Sequence, residues 1–131
     1  NMEMDAIVFY DKFKSKYPQY ADEMQTRLKA WGGNSAGRKL LNIDSEGFVK
    51  PDPFFPEKIG NILHQDFSDI WTNEPTTLLQ KLRVYPRELK GICSDCEYLD
   101  ICNGGSRARA YAIYGDLWES DPSCYIKDKE D

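Results

Sequence analysis

No stretch of this 131-residue chain is apolar over anything near the ~20 residues that a membrane-crossing helix needs, so no membrane partner is expected. Clustered Lys and Arg are missing as well. The basic residues are scattered among acidic ones and the net charge is −5, which argues against nucleic acid, whose phosphates call for grouped cations. The opening Asn1-Met2-Glu3-Met4-Asp5 has neither a basic region nor a leader-like apolar run. No secretory signal is visible, and a cytoplasmic protein is expected. Asn at position 1 suggests a chain cut from a longer one. Internal repeats are lacking, and the one biased tract is the charged end Lys127-Asp128-Lys129-Glu130-Asp131. Histidine is down to a single residue, His64, which reads as a surface or capping group far from the cysteines.

Hydrophobic residues make up 40% and charged residues 30%, the proportions of a soluble folded chain. The length fits one domain, or one domain with a helical extension. A loop-rich chain of this size gains much from a metal staple.

Residues 5–30 read as helix. Ala6, Val8, Phe9, Phe13 and Tyr17 form one apolar face, Pro18 interrupts it, and Met24, Leu28 and Trp31 continue it up to the stop at Gly32-Gly33. Residues 38–50 read as a β-hairpin turning through Asp44-Ser45-Glu46-Gly47. Pro51, Pro53 and Pro56 then force an irregular segment, and Ile59–Leu63 suits a short strand or turn. Asp66 can cap a turn carrying Phe67, Ile70 and Trp71, and a second short helix after Pro75 turns Leu78, Leu79 and Leu82 inward. Residues 89–105 are a cysteine-bearing loop, followed by a helix over 106–114 that Gly115 stops. The expected fold class is α+β, small and loop-rich: a β-hairpin followed by short helices, stapled by a four-cysteine metal site.

Four cysteines occur in the order Cys93-x2-Cys96-x5-Cys102-x21-Cys124, and none elsewhere. A tight pair, a third thiol one loop later and a distant fourth can enclose one metal centre, and thiolate is the ligand shared by iron–sulfur clusters and structural zinc. A pair of disulfides competes poorly. Four cysteines are sparse for a disulfide scaffold, and Cys-x2-Cys is more typical of metal or redox sites. Spacing alone leaves zinc and iron–sulfur both open, although zinc ribbons usually carry two Cys-x2-Cys pairs. Asn103-Gly104-Gly105 opens a helix whose free amides could face an anionic centre, and Arg107 and Arg109 could add positive charge beside it.

The pattern Cys93-x2-Cys96-x5-Cys102-x3-Ser106-x17-Cys124 resembles the signature of SPASM domains, the auxiliary-cluster modules of radical S-adenosylmethionine enzymes. The likeness extends upstream to Gly32-Gly33-Asn34-Ser35-Ala36-Gly37-Arg38 and Asn42–Pro51 and takes in Gly104-Gly105-Ser106-Arg107-Ala108-Arg109 and Asp121-Pro122-Ser123-Cys124. It covers roughly residues 32–125, and its flavour is that of haem-pathway and tungsten- or peptide-cofactor maturases.

The resemblance implies two [4Fe–4S] clusters in a full domain. One would use the positions of Cys93, Cys96, Cys102 and Cys124, all present as cysteine. The other would use positions occupied here by Asn34, Asp52 and Ser106, which are poor soft-metal ligands, so that site is expected to be lost. Gly104, Gly105 and Arg107 are expected around the retained cluster. The family's Cys-x3-Cys-x2-Cys motif, which serves S-adenosylmethionine cleavage in a separate barrel, is absent from the sequence. The chain is therefore not expected to be an enzyme by itself. Residues 1–31 are expected to link to that barrel, 32–125 to form the cluster module and 126–131 a charged tail. The expected role is electron transfer or structural support beside a parent radical S-adenosylmethionine barrel acting on a peptide, tetrapyrrole or cofactor precursor. Zinc in the same four ligands, serving a structural or interaction module, is the alternative.

Overall fold

The computed structural model describes residues 2–126, so the charged end at 127–131 lies outside the described residues. The chain is α+β, and it divides into two compact bodies, one of residues 1–34 with 88–131 and one of residues 35–87.

The first body is helical. α1 (Met2–Lys16) and α2 (Ala21–Trp31) are separated by a tight 3-10 turn at Pro18–Tyr20, because Pro18 has no amide to continue the helical ladder. Gly32, at φ 83°, closes α2 in the left-handed conformation that glycine adopts without strain. The fully buried residues of α1 are Met4, Ile7 and Tyr10, and of the stripe expected from the sequence Ala6 and Val8, with Met24 and Leu28 of α2, pack partly buried against that cluster. Phe9, Phe13 and Tyr17 of that stripe meet one another in tilted pairs, with ring centroids 5.8 and 5.2 Å apart, and Phe9 is half exposed. Aromatic residues four apart satisfy one another on a helix surface, and so imitate a core-facing stripe. α4 (Leu99–Cys102) meets α1 and α2, and Met4, Ile7 and Tyr10 pack with Ile101, Cys102 and Ile126. α5 (Arg107–Tyr114) is capped by the Ser106 hydroxyl, which accepts from the Arg109 amide, and ends at left-handed Gly115.

The second body holds a three-stranded antiparallel sheet in the order β1 (Asn42–Ile43), β2 (Phe48–Lys50), β3 (Gly60–Asn61). Asn42 pairs with Lys50 and Ile43 with Val49, as a turn at 44–47 requires, and Val49 is fully buried. A π-helical turn at Asp69–Asn73 follows, and the amides of Asp69 and Ile70 donate to the Asp66 carbonyl at 3.0 and 3.2 Å. Thr76 then caps α3 (Thr77–Leu82), whose Leu78, Leu79 and Leu82 are buried. Arg83 ties this body together: it donates to the carbonyls of Gly37 and Trp71 at 3.0 and 2.7 Å and lies over the Trp71 ring. No helix among the described residues is long and apolar enough to cross a membrane.

Candidate metal centre

All four cysteines are free thiols and all lie in the helical body. Cys93 sits in a 3-10 turn, Gly91–Asp95, and Cys96 follows it, its amide bonded to the Cys93 carbonyl at 3.3 Å. The Cys93 amide donates to the Ser120 hydroxyl at 3.2 Å, and that hydroxyl donates to the Lys90 carbonyl at 2.9 Å. The pair is thereby laced to the segment before Cys124. Cys124 is held by its own amide, which donates to the Asp121 carbonyl at 3.1 Å.

Cys102 ends α4, and the chain then runs through three left-handed residues, Asn103, Gly104 and Gly105, at φ 56, 92 and 65°. This winding turns the Gly104 amide back onto the Cys102 sulfur. Burial pushes the Cys102 thiol up to about 12; the Gly104 bond opposes that shift, while the charges of Cys93, Glu3 and Cys124 add to it. Among the described residues, however, no group of three or more His, Cys, Asp or Glu side chains is gathered into a metal cage. The expected staple is not formed by the side chains as they lie. Cys102 shares the apolar cluster of Met4 and Ile7. His64 is exposed in the sheet body.

Arg107 is wholly buried. Its Nη1 donates to the carbonyls of Leu117, at 2.9 Å, and Glu119, and its Nη2 donates to the carbonyl of Gly104. Nε has no partner. Burial lowers its pKa, and the strongest opposing influence is Cys93, followed by Asp121 and Cys102. Arg109 is differently engaged, forming a two-pronged pair with Asp121, both bonds 2.9 Å.

Asp121 is a residue that sequence reasoning passed over except as part of the family pattern. It is 1% exposed and accepts from the Ser106 amide, from Arg109, and from the amide and hydroxyl of Ser123. Burial would raise its pKa, but Arg109 and the amides of Ser123 and Ser106 outweigh that and hold it below the usual value. The Asp-Pro-Ser run was the available signal, since an Asp side chain readily accepts from the amide two residues on. Gly105 lies against this carboxylate.

Each of the three positions where the resemblance expects a further ligand has a hydrogen-bonding role. Asn34 donates through its side chain to Glu3, at 3.1 Å, and through its amide to the Cys102 carbonyl, at 3.0 Å. Ser106 caps α5. Asp52, in the sheet body, accepts from the Phe54 amide at 2.8 Å.

Soft thiols, an amide turned onto one sulfur and a buried cation beside two of them define a small α+β scaffold suited to an anionic thiolate centre. Residues 35–97 match the SPASM family, described as an iron-sulfur cluster-binding domain. The chain carries a SPASM domain. It is 38% identical to the pre-heme d1 synthase of Dinoroseobacter shibae over 96% of this chain and 31% of that protein. It is 34% identical to the Fe-coproporphyrin III synthase of Methanosarcina barkeri over 96% of this chain and 33% of that protein. An AdoMet-dependent heme synthase of the same organism is 46% identical over 72% of this chain and 26% of that protein. The chain thus spans about a third or less of these curated relatives. No solved structure matches it.

Proposed function

We propose that the chain is the auxiliary-cluster module of a radical S-adenosylmethionine maturase, binding one [4Fe–4S] cluster through Cys93, Cys96, Cys102 and Cys124. The observation that carries the reading is the setting of Cys102: a buried thiol receives the Gly104 amide, with the buried Arg107 cation nearby. Bound there, the cluster supplies one-electron exchange at a potential set by charge, hydrogen bonds and exposure. Four protein thiolates fill its coordination, which favours electron transfer or structural support over substrate ligation. The protein's part is positional. Ser120 steadies the Cys93 amide, the Asp121 carbonyl steadies that of Cys124, and the apolar face of α1 shields Cys102 from water. The second auxiliary site is lost at Asn34, Asp52 and Ser106.

Residues 1–31 connect, in this reading, to the barrel that binds S-adenosylmethionine, and residues 32–125 form the cluster module of a cytoplasmic enzyme. The printed names of the relatives favour a tetrapyrrole of the haem series over a peptide as the parent's substrate. Anaerobic reconstitution tests the cluster. Expected are about four iron and four sulfide per chain and a broad absorbance near ~400 nm. A colourless, iron-free chain holding one zinc would overturn the reading in favour of a structural zinc module.

A further inference from the structure

We propose that Arg107 is the counter-charge of the cluster, raising its reduction potential by stabilising the more negative reduced state. The inference rests on the cluster reading above. A guanidinium removed from water is costly unless an opposite charge answers it. Arg107 has no exposed surface, an Nε–H without an acceptor, and no carboxylate at ion-pair distance among the described residues. Its other donors go to neutral carbonyls, those of Gly104, Leu117 and Glu119.

These carbonyls lie in the turn after Cys102 and in the segment that runs up to Ser120 and Cys124. Gly104 accepts from Arg107 through its carbonyl and donates through its own amide to the Cys102 sulfur. Glu119 precedes Ser120, whose hydroxyl takes the Cys93 amide. The cation is therefore fixed between the turn that follows Cys102 and the segment whose Ser120 anchors the Cys93 amide, in an interior where a charge acts strongly. Each electron added to a four-thiolate cluster makes it more negative, so a fixed cation favours the reduced form. The fork of an arginine also clamps three carbonyls at once, which the compact ammonium of lysine cannot do. Clamp and charge can thus be separated by substitution.

The test uses the full chain, reconstituted anaerobically and titrated with dithionite through mediators, with the reduced cluster read by electron paramagnetic resonance. Arg107→Gln removes the charge, and Arg107→Lys keeps it without the fork. The Gln variant should be at least tenfold harder to reduce, a fall of 59 mV for a one-electron couple, with the Lys variant within about threefold of the wild type. A clamp alone would weaken both variants alike and leave the potential of the loaded fraction in place, so an unchanged or raised potential in Gln overturns the proposal. If Gln takes up no cluster, uptake by Lys decides. Retained uptake supports a requirement for charge, and loss in both overturns it. A wild-type chain that takes up no iron and sulfide sinks the cluster reading itself, and this inference with it.

Discussion

Each of the two bodies buries an arginine, and the two are answered differently. Arg87, 1% exposed in the sheet body, donates to the carbonyls of Leu82 and Ala36 at 3.0 and 2.8 Å, and its charge acts on the buried carboxyl of Asp52. Burial raises the pKa of that carboxyl, with the Phe54 and Phe55 amides and Arg87 opposing. Arg107 in the helical body also meets carbonyls, and the charges acting on it most strongly are, in order, Cys93, Asp121 and Cys102. One body thus answers its buried cation with a carboxylate, at a position where the resemblance expects cysteine. In the other, a thiol, Cys93, acts on the cation more strongly than any carboxylate does. A buried charge is a demand on its surroundings, and the partner it is given shows whether the site is closed or awaits a guest.

The largest effect that can break this contrast is total. Cys102→Ser should abolish iron and sulfide uptake and speed hydrogen exchange across residues 89–125, whose loops have few elements of their own. Unaltered uptake would remove the helical body's claim to a metal. In the sheet body, Arg87→Met should cost about 1–3 kcal/mol in urea unfolding of the iron-free chain, because the buried carbonyls of Leu82 and Ala36 lose their donor and Asp52 loses an opposing charge. Adding Asp52→Asn should recover part of that loss, since a stranded charge is worse than none. Strictly additive losses would show that Arg87 and Asp52 do not answer each other.

Asp121→Asn should cost about 2–3 kcal/mol by the same measurement, through its pair with Arg109 and the amides it accepts from. Because the folded protein holds the Asp121 pKa below 3.8, this contribution is present above that value and fades as the pH falls through the folded one. Urea curves taken from about pH 6 to about pH 2 should therefore show the wild type converging on the Asn variant in acid. A constant gap would mean that the carboxylate's charge is irrelevant. Smallest is Ser106→Ala, about 1 kcal/mol for a lost cap with iron uptake intact, which tests whether that position now serves α5 and not a metal.

Much of the framework was legible because local chemistry settles it. Pro18 had to break the first helix, Gly32 and Gly115 to end theirs, and Asp44–Gly47 to turn the hairpin. Leu78, Leu79 and Leu82 declared the inner face of α3 by spacing. The misread face of α1 shows the limit: apolar periodicity cannot tell an aromatic ladder stacked on itself from a stripe meeting a core. Around the cysteines, sequence marked the thiols and the glycines but not the division of labour. Of the amides expected at Asn103-Gly104-Gly105 to face an anionic centre, that of left-handed Gly104 turns to Cys102, while Ser106 and Asp121 occupy the next amides, those of Arg109 and Ser106. Nor could a one-dimensional reading say which arginine would be enclosed, since Arg107 and Arg109 differ only by which side of a short helix they leave.

The packing of Met4, Ile7 and Tyr10 against Cys102 has a practical corollary. The family match runs from residue 35 to residue 97, but the piece that folds around Cys102 draws on sequence at both outer edges of that interval. What is inherited as a recognisable unit and what coheres as a solid are here different lengths of chain. Trimming to the recognisable unit would omit Cys102 and Cys124 outright. Even a cut made just before residue 35 that kept every cysteine would strip away the apolar wall of Met4, Ile7 and Tyr10 against which Cys102 is packed.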